Sequence, residues 1–232
     1  MNDTAAVIVA AGNASRMRLG YNKNFLECSG RLLVSYTLEA FARSSLVDRI
    51  ILVVKDSERT EALRAAAEAG AAEKTVLASG GDTRQQSVFN GLCAAGKGTG
   101  FAAVHDGARC LITTEDIDRV LSKAYETGAA TAAARMNDTC AVTDTAGGTI
   151  AGYADRESLC LIQTPQCFRY DDILYAHNRA MEDGVSGTDD TGLYHRYCGS
   201  VSIVYTKGKN MKITEPGDLP VAEALLYGNR QR

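Results

Sequence analysis

Histidine is scarce in this chain, with three in 232 residues. None stands in a triad-like setting, and no base neighbours any cysteine, so the pattern of a histidine-assisted nucleophile is missing. No Cys-x-x-Cys occurs among the scattered Cys28, Cys93, Cys110, Cys140, Cys160, Cys167 and Cys198. His195 and Cys198 alone cannot make a zinc site, and reduced thiols in a cytoplasmic protein are the expectation. No apolar run approaches the ~20 residues of a membrane span, and Met1-Asn2-Asp3-Thr4 lacks the basic region of a signal peptide. A formal charge of −3 removes any global pull toward nucleic acid or anionic membrane. Any phosphate site must therefore be a local cluster of cations. Two well-known nucleotide loops are missing as well. Gly12-Asn13-Ala14-Ser15-Arg16-Met17 keeps only the first glycine of the dinucleotide fingerprint, and Gly-x-x-x-x-Gly-Lys-Ser/Thr occurs nowhere.

What is present is an ordinary core supply and a regular alternation. Hydrophobic residues make up 45% and charged residues 23%, enough for one α/β unit expected as a single domain over 1–232. Strand-like runs at 5–11, 49–55, 75–78, 101–105 and 129–134 alternate with helical patterns at 33–43, 57–70, 82–96 and 114–128. Residues 49–55 form a continuous apolar run, the kind buried on both faces of a parallel sheet. Helices follow at 171–184 and 188–197, then a strand at 201–206 and a last helix from Glu215-Pro216 to about Tyr227. The rhythm predicts an α/β fold, a doubly wound, mostly parallel sheet with helices on both faces. Ligands in such folds gather beyond the carboxyl ends of the strands.

Three motifs meet that condition. After the first strand, Ala10, Ala11 and Gly12 let backbone amides approach a ligand, while Arg16 and Lys23 supply positive charge. The plainer reading is a strand-to-loop turn with two solvated cations. After the third strand, Gly80, Gly81 and Asp82 lead into a helix that Asp82 can cap, and the Ser87 hydroxyl could read the polar edge of a base. An ordinary capped helix explains the same residues. After the fourth, Asp106 and Gly107 sit where a divalent cation is held on a phosphate, or where a turn is capped. His105 reads as a packing residue. Together the three call for anionic, nucleotide chemistry in one crevice.

One set of residues comprises Ala10-Ala11-Gly12 with Arg16-Met17 and Lys23, Gly80-Gly81-Asp82 with Arg84 and Ser87, and His105-Asp106 with Ala108-Arg109. A second comprises Asp138-Thr139, Asp155-Arg156, Gln163-Thr164-Pro165-Gln166, Thr188-Asp189-Asp190, Asn210-Met211-Lys212-Ile213-Thr214 and Asp218-Leu219. In order and spacing the whole chain resembles the 2-C-methyl-D-erythritol 4-phosphate cytidylyltransferases. The resemblance implies a Rossmann-like nucleotidyltransferase fold and transfer of CMP from CTP to a sugar-alcohol phosphate, with Mg²⁺ present. It implies catalytic roles for Arg16, Lys23 and Lys212, and nucleotide contacts from Ala10, Ala11, Gly12, Gly81, Asp82, Ser87 and Asp106. Asp106 would also lie at the metal. Arg109, Thr139, Arg156 and Thr164 would surround the acceptor.

Residues 139–159, with Gly147-Gly148 at a turn, read as a hairpin too small to stand alone. The resemblance makes it a protruding β-arm, about 137–159, that embraces a second subunit of a homodimer. The chain departs from the family's usual residues at Asn13-Ala14, Asn24, Gly107, Cys110 and Cys140-Ala141-Val142, the last of these on the acceptor side. The competing readings are a sister enzyme acting on ribitol 5-phosphate or another polyol phosphate, and a non-catalytic nucleotide-binding protein. A nicotinamide dehydrogenase is disfavoured by the missing glycines.

Overall fold

The structure, a computed structural model, describes residues 2–12 and 21–230. Strand β1 (Thr4–Val9) is followed by a small hairpin, β2 (Glu27–Cys28) and β3 (Arg31–Leu32), then helix α1 (Leu33–Arg43). Next come β4 (Arg49–Val54), α2 (Arg59–Glu68), β5 (Thr75–Ser79), α3 (Arg84–Ala95), β6 (Phe101–Asp106), α4 (Thr114–Thr127) and β7 (Ala129–Arg135). The hairpin β8 (Cys140–Thr143) and β9 (Ile150–Ala154) precedes β10 (Cys160–Arg169), α5 (Tyr170–Glu182), α6 (Asp190–Tyr197), β11 (Ser202–Tyr205) and α7 (Asp218–Arg230).

The main sheet runs β11-β7-β10-β6-β1-β4-β5. Every neighbouring pair is parallel except the two that β10 makes, antiparallel to β6 on one side and to β7 on the other. Alternation along the strands supplies both faces. Ala6, Ile8, Ile50, Leu52 and Ala103 pack with Leu38 and Phe41 of α1, Ala65 of α2, and Ile117 and Leu121 of α4. Ala5, Val7, Ile51, Val53 and Val104 face the other way, against Val88 and Leu92 of α3 and Ile173 of α5. A smaller cluster of Leu33, Tyr36, Ala108, Leu111, Ile213 and Ala222 docks α7 and the segment before it beside the end of β6.

The predicted strands and helices are found with ends shifted by a few residues, and three differences have physical causes. β10 is absent from the sequence reading because Pro165 interrupts it, and proline ordinarily argues against a central strand. Here the ladder to β7 shifts register between Ile162 and Gln166, so Pro165 occupies an irregularity where no ladder donor is needed. Helix α3 is capped by Thr83, whose hydroxyl accepts from Gln86 N at 3.0 Å. Asp82 is exposed and turned to the cleft described below, so the expectation that it caps the helix is corrected. Helix α7 begins at Asp218 and not at Glu215-Pro216. The Asp218 carboxylate accepts from the backbone N–H of Thr214 at 2.7 Å and of Glu215 at 2.9 Å, which holds that segment as a turn.

The hairpin β8–β9 forms a sheet of its own. Asp144 ties its turn, accepting from Gly148 N at 2.9 Å and from the Thr149 hydroxyl at 2.6 Å. Val142, Ile150 and Tyr153 stand exposed on it.

Gly91 is where α3 comes closest to the sheet. A Cβ there would lie 2.4 Å from Val7 Cγ1 and 2.8 Å from Val53 Cγ2. Gly91→Ala is therefore expected to destabilise the fold by about 1–3 kcal/mol through overpacking, read as a lower urea midpoint; an unchanged midpoint would show that the two layers can part without cost.

Candidate active site

The carboxyl ends of β1, β5 and β6 open into a cleft of about 600 Å³, lined by Ala11, Gly12, Lys23, Gly81, Asp82, Ser87, Asp106 and Lys212 among others. Its narrow floor is made by close backbone approach. A Cβ on Gly80 would stand 2.3 Å from that of Ala11, and one on Gly81 would stand 2.1 Å from Gln86 Cγ and 2.6 Å from its Cβ, so the loop after β5 needs glycine at both positions, at Gly80 to admit the Ala11 methyl. Ser87 is buried and pins the second loop: its hydroxyl accepts from Gly81 N at 3.0 Å and donates to the Thr83 carbonyl at 2.9 Å. Ala10 is buried beneath the cleft. Its carbonyl accepts from the side-chain amides of Asn22 and Asn24, which fixes the returning chain just where Lys23 leaves it. The Lys23 ammonium donates to the Ile213 carbonyl and so lies next to the segment carrying Lys212. Arg16 lies outside the described residues.

Asp106, the last residue of β6, is the electrostatic centre. Its carboxylate takes Arg84 Nε at 3.2 Å on Oδ1, and Lys212 Nζ at 2.9 Å and Arg109 Nε at 3.5 Å on Oδ2. Burial alone would push the carboxyl up, but Arg84, Lys212 and Arg109 outweigh it and hold the group well below the usual carboxylate range. Burial works against the Arg84 guanidinium too, and Asp190 and Asp106 more than offset it. Removing one cation would leave Asp106 with two others, so the compensation for burying its charge would be weakened and not abolished.

Behind the carboxylate, a second set of bonds fixes the strand end. Thr164 is buried, and its hydroxyl accepts from Asp106 N at 3.1 Å and lies 3.0 Å from His105 Nδ1. The Arg109 carbonyl, 3.4 Å from His105 Nε2, can only accept, so in the neutral ring Nε2 carries the proton and Nδ1 accepts from the Thr164 hydroxyl. His105 is fully buried, with its ring 5.0 Å from that of Phe41. Burial pushes its pKa down to about 3. It packs and orients, as the sequence suggests.

A second hollow of about 160 Å³ adjoins the first and is lined by Arg109, Gln163, Thr164, Gln166, Thr188 and Asp189. The two share Arg84, Asp106 and Lys212 as a common wall. Of the residues expected around an acceptor, Arg109 and Thr164 line this hollow. Thr139 and Arg156 are exposed at the arm and line neither hollow. Arg156 reaches the Asn137 carbonyl at 3.4 Å and Glu157 at 3.5 Å. Among the described residues no group of three His, Cys, Asp or Glu could hold a metal ion.

Sequence reasoning gave no role to Arg84, Gln166, His177 or Asp190. Gln166 accepts from Asp190 N and Thr191 N and donates to Asp189 Oδ2, anchoring the start of α6. Arg84 had a usable signal, as the cation that opens the helix after the glycine pair. Nothing in sequence spacing joins it to Asp190 across 106 positions.

A histidine whose folded pKa lies below its unfolded value binds fewer protons when folded, so stability is lost as pH falls through that interval. For His105 the interval runs from 6.5 down to about 3. His105→Gln is expected to flatten the acid side of the stability profile there by up to roughly 1.4 kcal/mol per pH unit, measured by urea unfolding at a series of pH values. Parallel slopes for the two proteins would contradict a buried neutral ring.

Residues 4–228 match the family model for 2-C-methyl-D-erythritol 4-phosphate cytidylyltransferase, IspD. A relative of that description from Pelotomaculum thermopropionicum is 39% identical over 233 residues, covering 100% of this chain and 98% of the relative. Another from Bacillus licheniformis is 40% identical over 225 residues, covering 97% and 96%. Among solved structures, the 2-C-methyl-D-erythritol 4-phosphate cytidylyltransferase of Thermus thermophilus is similar with a TM-score of 0.78 and 30% identity, covering 97% of this chain and 99% of that one. The 4-diphosphocytidyl-2C-methyl-D-erythritol synthase of Anaerococcus prevotii gives a TM-score of 0.85 at 25% identity, covering 97% and 96%.

Proposed function

The chain belongs to the 2-C-methyl-D-erythritol 4-phosphate cytidylyltransferase family, and from that premise we propose that it transfers CMP from CTP to 2-C-methyl-D-erythritol 4-phosphate in isoprenoid precursor synthesis. The observation that carries the reading is the shared wall: two hollows of unequal size meet at Arg84, Asp106 and Lys212. CTP takes the larger and the polyol phosphate the smaller, which brings the acceptor phosphate to the α-phosphorus. An acceptor phosphate oxygen forms the new P–O bond, the bond to the β-phosphate oxygen breaks, and pyrophosphate leaves with the electron pair. The attacking oxygen is already ionised, so no general base is needed. Two polyanions must instead be held together while charge builds on the α-phosphate. Lys23, Lys212 and Arg16 take that role, with Ala11, Gly12, Gly81, Asp82 and Ser87 around the nucleotide.

Asp106 suits a divalent ion that is completed by substrate oxygens, because Mg²⁺ is commonly bound by one or two carboxylates plus phosphates. Mg²⁺ there would neutralise triphosphate charge and strengthen pyrophosphate as a leaving group. The three cations now on Asp106 would then have phosphate oxygens as alternative partners.

Thr139 and Arg156 reach the acceptor through a second copy of the chain. The arm's exposed Val142, Ile150 and Tyr153 suit a surface that another protomer covers. A homodimer built through the arm would bring that threonine and arginine to the neighbour's smaller hollow. Seven free cysteines fit a cytoplasmic enzyme, and among the described residues no helix is long and apolar enough to cross a membrane.

The decisive measurement is pyrophosphate release from CTP with a panel of polyol phosphates. Turnover is expected with 2-C-methyl-D-erythritol 4-phosphate, whereas turnover with ribitol 5-phosphate alone would move the chain to the sister activity. CTP binding with no productive acceptor would favour a non-catalytic protein.

Lys23→Ala and Lys212→Ala should each lower kcat by about 3–4 kcal/mol of lost charge stabilisation. Near-normal turnover in either contradicts its role. Arg156→Ala should raise the acceptor KM and leave that for CTP unchanged, and an unaltered acceptor KM would remove it from the site.

A further inference from the structure

Beyond the cations already assigned lies a chain of charge that runs from the shared wall into the core. Arg84 is fixed at two corners, with Nε on Asp106 Oδ1 at 3.2 Å and Nη1 on Asp190 Oδ2 at 2.9 Å. Asp190 is buried, and its other oxygen lies 3.0 Å from Nε2 of the fully buried His177. His177 is on α5 and stacks on Phe89 of α3, ring centroids 6.4 Å apart and planes at 27°. It therefore joins the helix carrying Arg84 to the helix carrying Asp190. The tautomer that serves the contact has its proton on Nε2. His177 Nδ1 is buried with no hydrogen-bond partner, so the ring's one polar bond is the one to Asp190.

An ion pair kept only for stability would close on itself in the core. This one ends on the wall that both hollows share. Arg84 lines each of them, and with Nε and Nη1 engaged, Nη2 makes no hydrogen bond among the described residues. A planar guanidinium gripped at two corners cannot roll about its own axis, so the direction of its remaining donors is set before any ligand arrives. We propose that Arg84 is a phosphate-contacting residue of the transfer reaction, presenting Nη2 to the phosphates where nucleotide and acceptor meet, and that Asp190 and His177 are the positioning residues that hold it there. Pre-orientation of this kind favours the state in which charge develops, and so appears in kcat more than in ground-state binding.

The proposal rests on the cytidylyltransferase reading, and the test separates the two. Wild-type protein must first release pyrophosphate with an acceptor from the panel; failure there sinks the reading and this inference with it, whereas an active wild type with unaffected variants sinks the inference alone. In an active protein, Arg84→Lys keeps the charge but cannot bridge both carboxylates, and is expected to lower kcat by about 100-fold. His177→Leu should lower kcat roughly tenfold with the CTP KM little changed, in protein whose melting temperature lies well above the assay temperature. His177→Gln puts an amide donor near the place of Nε2 and should recover most of the loss. In the double variant His177→Leu, Arg84→Lys, kcat should equal that of Arg84→Lys alone, because His177 acts only through the guanidinium.

Wild-type kcat in Arg84→Lys would overturn the proposal, as would multiplied losses in the double variant or no recovery in His177→Gln. Should His177→Leu fail to fold, Asp190→Asn, which keeps the shape and drops the charge, takes its place with the same expectation of a tenfold loss that vanishes in the Arg84→Lys background. An undiminished kcat there overturns the proposal equally.

Discussion

A single carboxylate at the tip of a central strand, ringed by cations from three separate segments, governs the rest of this molecule. Asp106 would be costly to bury alone, and its ionised form survives because Arg84, Arg109 and Lys212 converge on it. That convergence demands the sheet order seen here. β6 must lie centrally, α3 must begin beside it, and the segment after β11 must fold back over the strand ends to deliver Lys212. The third core cluster, with Ile213 and Ala222 packed on Leu33 and Ala108, is what holds that segment down. Two of the cations that hold this carboxylate ionised, Arg84 and Lys212, also line both hollows.

The glycine loops perform a complementary task. Cations attract an anion but do not shape its path, and that shape comes from two loops that meet closely, with only the Ala11 methyl packed against Gly80. Two of the chain's departures from usual family residues also touch in space. A Cβ on Gly107 would sit 2.9 Å from Asn24 Oδ1, so the absent methyl makes room for this asparagine, which in turn braces the Ala10 carbonyl. The substitutions are one local solution and need not alter the ligand.

Much of this was legible in the sequence because the sheet obeys simple periodicities. The apolar runs marking β1, β4, β6 and β7 and the patterns of α1 and α4 follow directly from burial on alternating faces. All three motifs lie beyond strand ends, and Lys23, Asp82, Ser87, Asp106 and Lys212 line one cleft. What was not legible depends on partners far apart in the chain. Pro165 disguised β10, because a register shift that tolerates proline is a property of its neighbours. The Thr83 cap competed with an equally competent aspartate one residue earlier. The bond from Arg84 to Asp190 and the bond from Asp190 to His177 leave no local signature. Sequence spacing carries local geometry well, and tertiary charge pairing hardly at all.

The antiparallel strand carries one more consequence, for the order of assembly. β6 and β7 follow one another in the chain, yet β10 lies between them in the sheet, so a sheet that paired β6 directly with β7 would leave β10 no place. Completing the sheet requires pairing with a segment some distance downstream, and such non-local closure is a slow kind of step. Because Thr164 lies on that segment and anchors the Asp106 amide, the buried carboxylate has its full setting only in the completed sheet.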